Sequence, residues 1–289
     1  MLRNWLMGTA RQKLREATAQ SAQRTSAHAD PKTAAEQGPP KPPRDVCHVG
    51  LVFALSIEAG GMLDRLKGVI MTEGAGFVAR EGGLAGKRLV VIESGVGRTA
   101  AKRATQAIIL GHSPRWIISA GFAGGLHESI AQGDILLANA IVDTDGKQFE
   151  IDFKLDPATI ASHGHLHVGR LLTSERIIAE PSEKKNLGQR YGALAVDMES
   201  IAVADVCRQE KIRFLAVRAI SDAVHHAMPR DIDYLVKRTS TASRLGAAAG
   251  AILRRPSSIK DMWQLREDAL VASERLATFL VGIIEQLPK

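Results

Sequence analysis

The chain has 289 residues, of which 45% are hydrophobic and 24% are charged, so it can bury the core of one large α/β domain. Its two cysteines, Cys47 and Cys207, lie in no CxxC or Cys/His spacing, which argues against a disulfide framework and against a zinc site. The net charge of +7 suits an anionic partner, but more than half of this excess lies in the first 46 residues, which hold eight basic and four acidic residues. We therefore expect no nucleic-acid role for the domain. No apolar run is long enough for a transmembrane helix, so we also expect no membrane span.

Residues 1–45 read as an extension outside the fold. They contain few large apolar side chains and end near the proline-rich run 38–43, which cannot continue a helix. Such a segment buries too little apolar surface to order itself, so we predict a disordered basic tail. A targeting segment and a partner-binding arm are the two alternatives for this stretch.

From residue 46 to 253 the pattern alternates between strands and helices. Continuous apolar runs predict strands at 49–55, 89–92, 116–120, 135–142, 193–196 and 214–217. Helical spacing follows several of them, at 58–66, 99–110, 197–209 and 231–253. Buried strands between helices predict one three-layer α/β domain with a central, mostly parallel mixed sheet flanked by helices.

The last part of the chain, residues 254–289, is predicted to be a helical extension. Arg254-Arg255-Pro256 breaks the preceding helix, and apolar positions at helical spacing resume from Ile259 to Leu287. We expect this helix to pack on its own chain or on a second copy of it, and another protein is the alternative partner.

Three acidic residues follow predicted strands. Glu58 lies at the first strand-to-helix turn, Glu199 follows the strand at 193–196, and Asp222 follows the strand at 214–217. Ligands in open α/β sheets bind beyond the carboxyl ends of strands, so these carboxylates are candidate catalytic or binding groups. Each could instead be an acid favoured at the start of a helix.

The acids belong to segments that resemble the nucleoside phosphorylase and nucleosidase superfamily, and most closely its methylthioadenosine/S-adenosylhomocysteine nucleosidase branch. The segments are 54–58, 93–101, 119–126 with 133–135, 197–199 and 218–222, in the order and spacing of that family. The resemblance covers roughly residues 47–250. It implies a nucleoside phosphorylase-like fold, a homodimer, no metal or other cofactor, and a cytoplasmic role in purine nucleoside metabolism and methionine salvage.

The resemblance also implies roles for individual residues. Asp222 would be the general acid that protonates the purine, held by Ser221, and Glu58 would activate the attacking water. Glu199 would bind the ribose hydroxyls, and Arg218 would pair with a carboxylate, for which Glu199 is the candidate.

The pocket walls would come from other segments. Met198 would pack on the sugar, and Gly124 would let the backbone approach the ligand. Phe122 stands where these nucleosidases usually carry a small serine, and the base-stacking phenylalanine of the family falls at Ile177 or Ile178. The resemblance therefore supports a purine nucleoside substrate more firmly than it supports a particular 5′ substituent, and relatives that act on futalosine or adenosyl-hopanoids share the same skeleton.

The function expected from these residues is hydrolysis of the N-glycosidic bond of an adenine nucleoside. The alternatives are a phosphate-dependent nucleoside phosphorylase and a non-catalytic nucleoside-binding relative. Glu58 favours water as the nucleophile, because a carboxylate would repel an attacking phosphate. Arg98 is the one basic residue placed to bind that anion, but the nucleosidases that the chain resembles commonly carry a lysine there, so Arg98 favours neither reaction.

Overall fold

The computed structural model describes residues 47–153, 155, 164–228 and 257–288. The predicted tail 1–45 and the predicted helix 231–253 therefore lie outside the described residues, as does part of the loop between 153 and 164. No described helix is long and apolar enough to cross a lipid bilayer.

The described residues form ten strands and five helices. The strands are β1 (Val49–Phe53), β2 (Lys67–Gly74), β3 (Phe77–Leu84), β4 (Lys87–Glu93), β5 (Trp116–Gly125), β6 (Ile135–Asp143), β7 (Gln148–Glu150), β8 (Leu166–Thr173), β9 (Ala195–Asp197) and β10 (Arg213–Asp222). The helices are α1 (Ser56–Leu63), α2 (Arg98–His112), α3 (Pro181–Tyr191), α4 (Ser200–Gln209) and α5 (Ser257–Gln286).

The centre of the sheet is parallel. β1 lies between β4 and β5 and runs parallel to both, and β10 runs parallel to the other side of β5. Every residue of β1 is buried, as expected for a strand covered by helices on both faces. Antiparallel pairs, β2 with β3 and β3 with β4, extend one side of the sheet.

On the other side the sheet curls into a closed ring of strands. β5 pairs with β10, β10 with β6, β6 with β8, β8 with β9, and β9 returns to β5. This closure brings the carboxyl ends of β5, β9 and β10 to one place. The predicted acidic residues follow or end strands at this part of the sheet.

Helices cover both faces of the sheet and complete the three-layer α/β fold that the sequence predicted. α2 and α4 pack against each other on one face, and α1 and α5 pack together on the other. Leu276, Leu280 and Ile284 of α5 are fully buried in the same apolar cluster as β1. Buried Lys87 donates to the backbone carbonyls of Ile284 and Glu285, which ties the end of α5 to the start of β4.

Some elements were not predicted. β2 is exposed along its whole length, so its sequence lacks the apolar alternation that identifies a half-buried strand. α3 is polar, but its ends carry ordinary signals, with Pro181 in its first turn and Gly192 in the left-handed conformation after it. β5 and β10 are longer than the apolar runs that predicted them, because each continues through small or polar residues into the site.

Candidate functional site

Glu58 is buried at the start of α1, with only 5% of its surface exposed. Its Oε2 accepts hydrogen bonds from the backbone N–H groups of Ala54 (3.0 Å) and Leu55 (2.8 Å), and its Oε1 accepts one from Phe122 (2.8 Å). Glu58 therefore caps its helix and at the same time joins α1 to β5. Burial raises the pKa of Glu58, although the backbone donors and the charge of Arg218 oppose this.

Glu199 precedes α4 and faces the loop between β4 and α2. Its Oε1 accepts a hydrogen bond from Gly97 N (2.7 Å), and its Oε2 accepts one from Met198 N (3.2 Å). Burial, and then the neighbouring charge of Asp197, raise the pKa of Glu199 to about 8. The residue as a whole is half-buried, but its carboxyl group is shielded from water and binds a proton far more tightly than an exposed glutamate does.

Arg218 pairs with Asp197, so the prediction that named Glu199 as its partner is wrong. The guanidinium places Nη2 2.6 Å and Nε 3.2 Å from Asp197 Oδ2, and both side chains are almost completely buried. The reason is local: in the turn at 197–199, the side chain of Asp197 faces Arg218, whereas that of Glu199 faces Gly97. Nη2 of Arg218 also lies 2.8 Å from the hydroxyls of Ser119 and Ser200.

A small cavity lies between these groups. Its charged or bulky lining comes from Glu58, Glu199, Arg218 and Phe122, and the rest of the lining is small: Val52, Ala54, Ser94, Ser119, Ala120 and Gly121. A Cβ atom at Gly121 would lie 2.8 Å from Glu58 Oε1, so a glycine is needed where β5 passes this carboxylate. The fold thus brings two predicted acids and the predicted arginine to one cavity.

Asp222 ends β10 opposite Gly124 of β5 and does not line that cavity. Its carboxylate approaches Gly124, where a Cβ atom would lie 3.3 Å from Oδ2. Because Gly121 and Gly124 are three residues apart on β5, Glu58 and Asp222 contact the strand at points about 10 Å apart. Asp222 thus lies close to the strand that forms part of the cavity wall without being one of the lining residues itself.

Ser221 and Lys184 hold the two oxygens of Asp222. Ser221 Oγ lies 2.6 Å from Asp222 Oδ1, as expected, and the ammonium group of Lys184 forms an ion pair with Oδ2. Lys184, on α3, is completely buried. Sequence analysis did not single it out, since a lysine in a polar helix is typical of a solvated surface; a signal would have been its place on the helix face shared with Gly188.

The remaining predicted binding residues differ in their positions. Met198 and Phe122 are half-buried, and Phe122 faces the cavity. Ile178 is buried in an apolar cluster with Leu126 and Leu172 and does not line the cavity. Among the described residues, no three side chains of histidine, cysteine, aspartate or glutamate form a group that could hold a metal ion.

The geometry agrees with what comparisons with known proteins find. Residues 48–254 match the phosphorylase superfamily. A 5′-methylthioadenosine/S-adenosylhomocysteine nucleosidase from Shewanella pealeana is 30% identical over 212 residues, which cover 65% of this chain and 92% of that protein.

Solved structures share the fold. The 5′-methylthioadenosine/S-adenosylhomocysteine nucleosidase of Neisseria meningitidis, in complex with methylthio-immucillin-A, has a TM-score of 0.64 at 20% identity and covers 84% of this chain and 100% of its own. The futalosine hydrolase of Helicobacter pylori has a TM-score of 0.64 at 18% identity, covering 84% of this chain and 99% of its own. The predicted fold class is therefore confirmed.

Proposed function

The chain belongs to the phosphorylase superfamily, and we propose that within it this protein is a purine nucleosidase that hydrolyses the N-glycosidic bond of an adenine nucleoside. The related nucleosidase at 30% identity supports methylthioadenosine and S-adenosylhomocysteine as the first substrates to test. The similarly folded futalosine hydrolase adds futalosine as a second kind of substrate.

The observation that carries hydrolysis is the charge around the cavity. Two carboxyl groups, Glu58 and Glu199, line it, and its one cation, Arg218, is already paired with Asp197. Arg98 does not line the cavity and donates to Asp143 and to the carbonyl of Thr173. A phosphate nucleophile would therefore find no free cation among the described lining residues, whereas water needs only a base, which Glu58 supplies.

In the proposed reaction Glu58 takes a proton from water, which attacks the sugar carbon as the bond to the base breaks. The raised pKa of Glu58 makes it a stronger base than an exposed glutamate. Asp222 in its protonated form donates its proton to the leaving purine and is left as the carboxylate that pairs with Lys184, and Glu199 binds the ribose hydroxyls. Arg218 acts by holding Asp197, Ser119 and Ser200 beside the cavity.

Release of the free purine base, which is hypoxanthine for inosine and adenine for the other three nucleosides, tests the proposal. Methylthioadenosine, S-adenosylhomocysteine, adenosine and inosine are each incubated with the protein, with and without phosphate, and futalosine is included for release of its own base. Asp222→Asn should lower kcat about 10²–10⁴-fold, the range for losing a general acid. Asp64→Asn, an exposed position at the end of α1, is the matched control.

Each outcome has a distinct reading. Phosphate-independent release that Asp222→Asn abolishes supports the nucleosidase. Release only with phosphate would instead identify a phosphorylase, and Arg98→Met would then test the anion site. No release from any of these substrates would contradict the proposed activity and favour a nucleoside-binding protein without turnover.

A further inference from the structure

Lys184 is the most unusual charged group near the site. Its side chain has no exposed surface, although burying an ammonium ion is costly unless every charge and donor finds a partner. Besides the ion pair with Asp222 Oδ2, its Nζ donates to the carbonyl oxygens of His226 (2.7 Å) and Ala223 (3.3 Å). The three N–H bonds of the ammonium are thus all used.

The helix that carries Lys184 is seated to aim it at Asp222. Lys184 and Gly188 are the buried residues of α3, one helical turn apart on the same face. A Cβ atom at Gly188 would lie 2.4 Å from the carbonyl oxygen of Leu126, directly after β5. The glycine lets α3 lie this close to the strand end, and Lys184 then reaches the end of β10.

The partners of Lys184 are the carboxyl group and the chain that follows it. Asp222 Oδ2 is fixed from one side by Lys184, and Oδ1 lies beside Ser221 Oγ. The carbonyls of Ala223 and His226 are held by the same ammonium, so the backbone after Asp222 cannot move without breaking these bonds. Both the carboxyl group and its backbone support are therefore anchored to α3.

We propose that Lys184 is a positioning residue for Asp222: it holds Oδ2 and the 223–226 turn, so that Oδ1 is presented to the purine. This rests on the proposed function, in which Asp222 acts on the base. Lys184 touches no substrate itself, and its whole effect on catalysis passes through the aspartate.

A double-mutant cycle tests the inference. The variants are Lys184→Met, Asp222→Asn and the two combined, with Lys185→Met as the control; Lys185 is half-exposed on the same helix and pairs with Glu128 at the surface. Lys184→Met should lower kcat about 10²-fold, as expected when a catalytic group is misplaced, with KM changed less than about 3-fold. In the Asp222→Asn background, the same substitution should change kcat less than about 2-fold.

Two results would overturn it. The first is a Lys184→Met protein with kcat within about 3-fold of wild type. The second is a loss that multiplies the loss from Asp222→Asn, which would mean that the lysine acts by supporting the fold in general. Lys184→Met leaves the charge of Asp222 buried and unpaired, and it could fail to fold for that reason. The combined variant contains no such charge. In that case the comparison of its kcat with the kcat of Asp222→Asn decides the question.

Adenine binding, measured by calorimetry, separates this inference from the proposed function. Lys184→Met, Asp222→Asn and the combined variant should weaken adenine binding by the same factor, whether or not the wild type turns over. Wild type that neither releases nor binds adenine contradicts the proposed function and the positioning role together. If the wild type turns over or binds adenine, but the losses from Lys184→Met and Asp222→Asn multiply in the combined variant, only the positioning role of Lys184 is contradicted.

Discussion

Glu199 makes the stability of this protein depend on pH in a calculable way. Its pKa rises from an ordinary value of 4.5 to about 8 on folding, because the carboxyl group is buried and lies beside Asp197. A group whose pKa is raised in the folded state stabilises fully below the unfolded pKa, and that contribution is lost as the pH rises through the folded value. The window for the loss is therefore pH 4.5 to 8.

Replacing Glu199 with glutamine removes this titration. One pKa unit corresponds to about 1.36 kcal/mol. Between pH 5 and pH 9 the raised pKa therefore lowers the free energy of unfolding of the wild type by about 4 kcal/mol, compared with a chain that has no titrating group at position 199. At pH 5 the folded wild type carries Glu199 protonated, and the amide of Glu199→Gln accepts from Met198 N as the neutral carboxyl does, so the two free energies of unfolding should be close. By pH 9 the variant should gain about 4 kcal/mol relative to wild type.

Urea unfolding, followed by circular dichroism at several pH values, measures this difference. Glu210→Gln is the control, since Glu210 is an exposed residue at the other end of α4. The control should follow the wild-type curve. Parallel curves for wild type and Glu199→Gln across pH 5 to 9 would refute the reasoning, because they would show that Glu199 binds its proton equally well in the folded and unfolded chain.

Two further substitutions test the packing around the site. Leu276→Ala, at a fully buried position of α5, should lower the free energy of unfolding by about 2–5 kcal/mol. Its control is Leu270→Ala on the same helix, where the side chain is 53% exposed and the change should be less than about 0.5 kcal/mol. Equal losses in denaturant titrations would contradict the packing of α5 on the domain. Gly121→Ala should lower kcat about 10²-fold, because the new methyl group displaces the carboxylate that activates water. Its control, Gly111→Ala in α2, meets no atom within 4 Å and should keep full activity with up to about 1 kcal/mol of added stability, so a Gly121→Ala enzyme with normal kcat would count against the water-activating role.

The sequence predicted the layers of this fold because its central strands are unbroken apolar runs, each followed by a helical pattern. It did not predict β2, whose side chains are exposed and so carry no pattern of burial. The closed ring of strands could not be predicted from the sequence either, because the pairing of β9 with β5 joins segments that are far apart in the chain.

In the candidate site, the sequence identified the segments that carry acidic residues, but it did not show which acidic side chain pairs with Arg218. Asp197 and Glu199 are two residues apart, and only the conformation of the turn decides that Asp197 pairs with Arg218. Lys184 was hidden for a related reason, since its burial follows from the position of α3 over Leu126 and not from any apolar neighbour in the sequence. The catalytic roles themselves remain predictions.

The place of α5 in the chain has a consequence for biosynthesis. Its Ser273 bonds to the backbone of α1, 212 residues earlier, so α1 and the face of the sheet beside it stay uncovered while the intervening chain is translated. Domains acquire their last contacts only when the whole segment has left the ribosome, and exposed apolar surface in the meantime invites aggregation. A nascent chain of this protein therefore exposes the apolar face of α1 and the adjacent sheet to chaperones until α5 emerges and covers it.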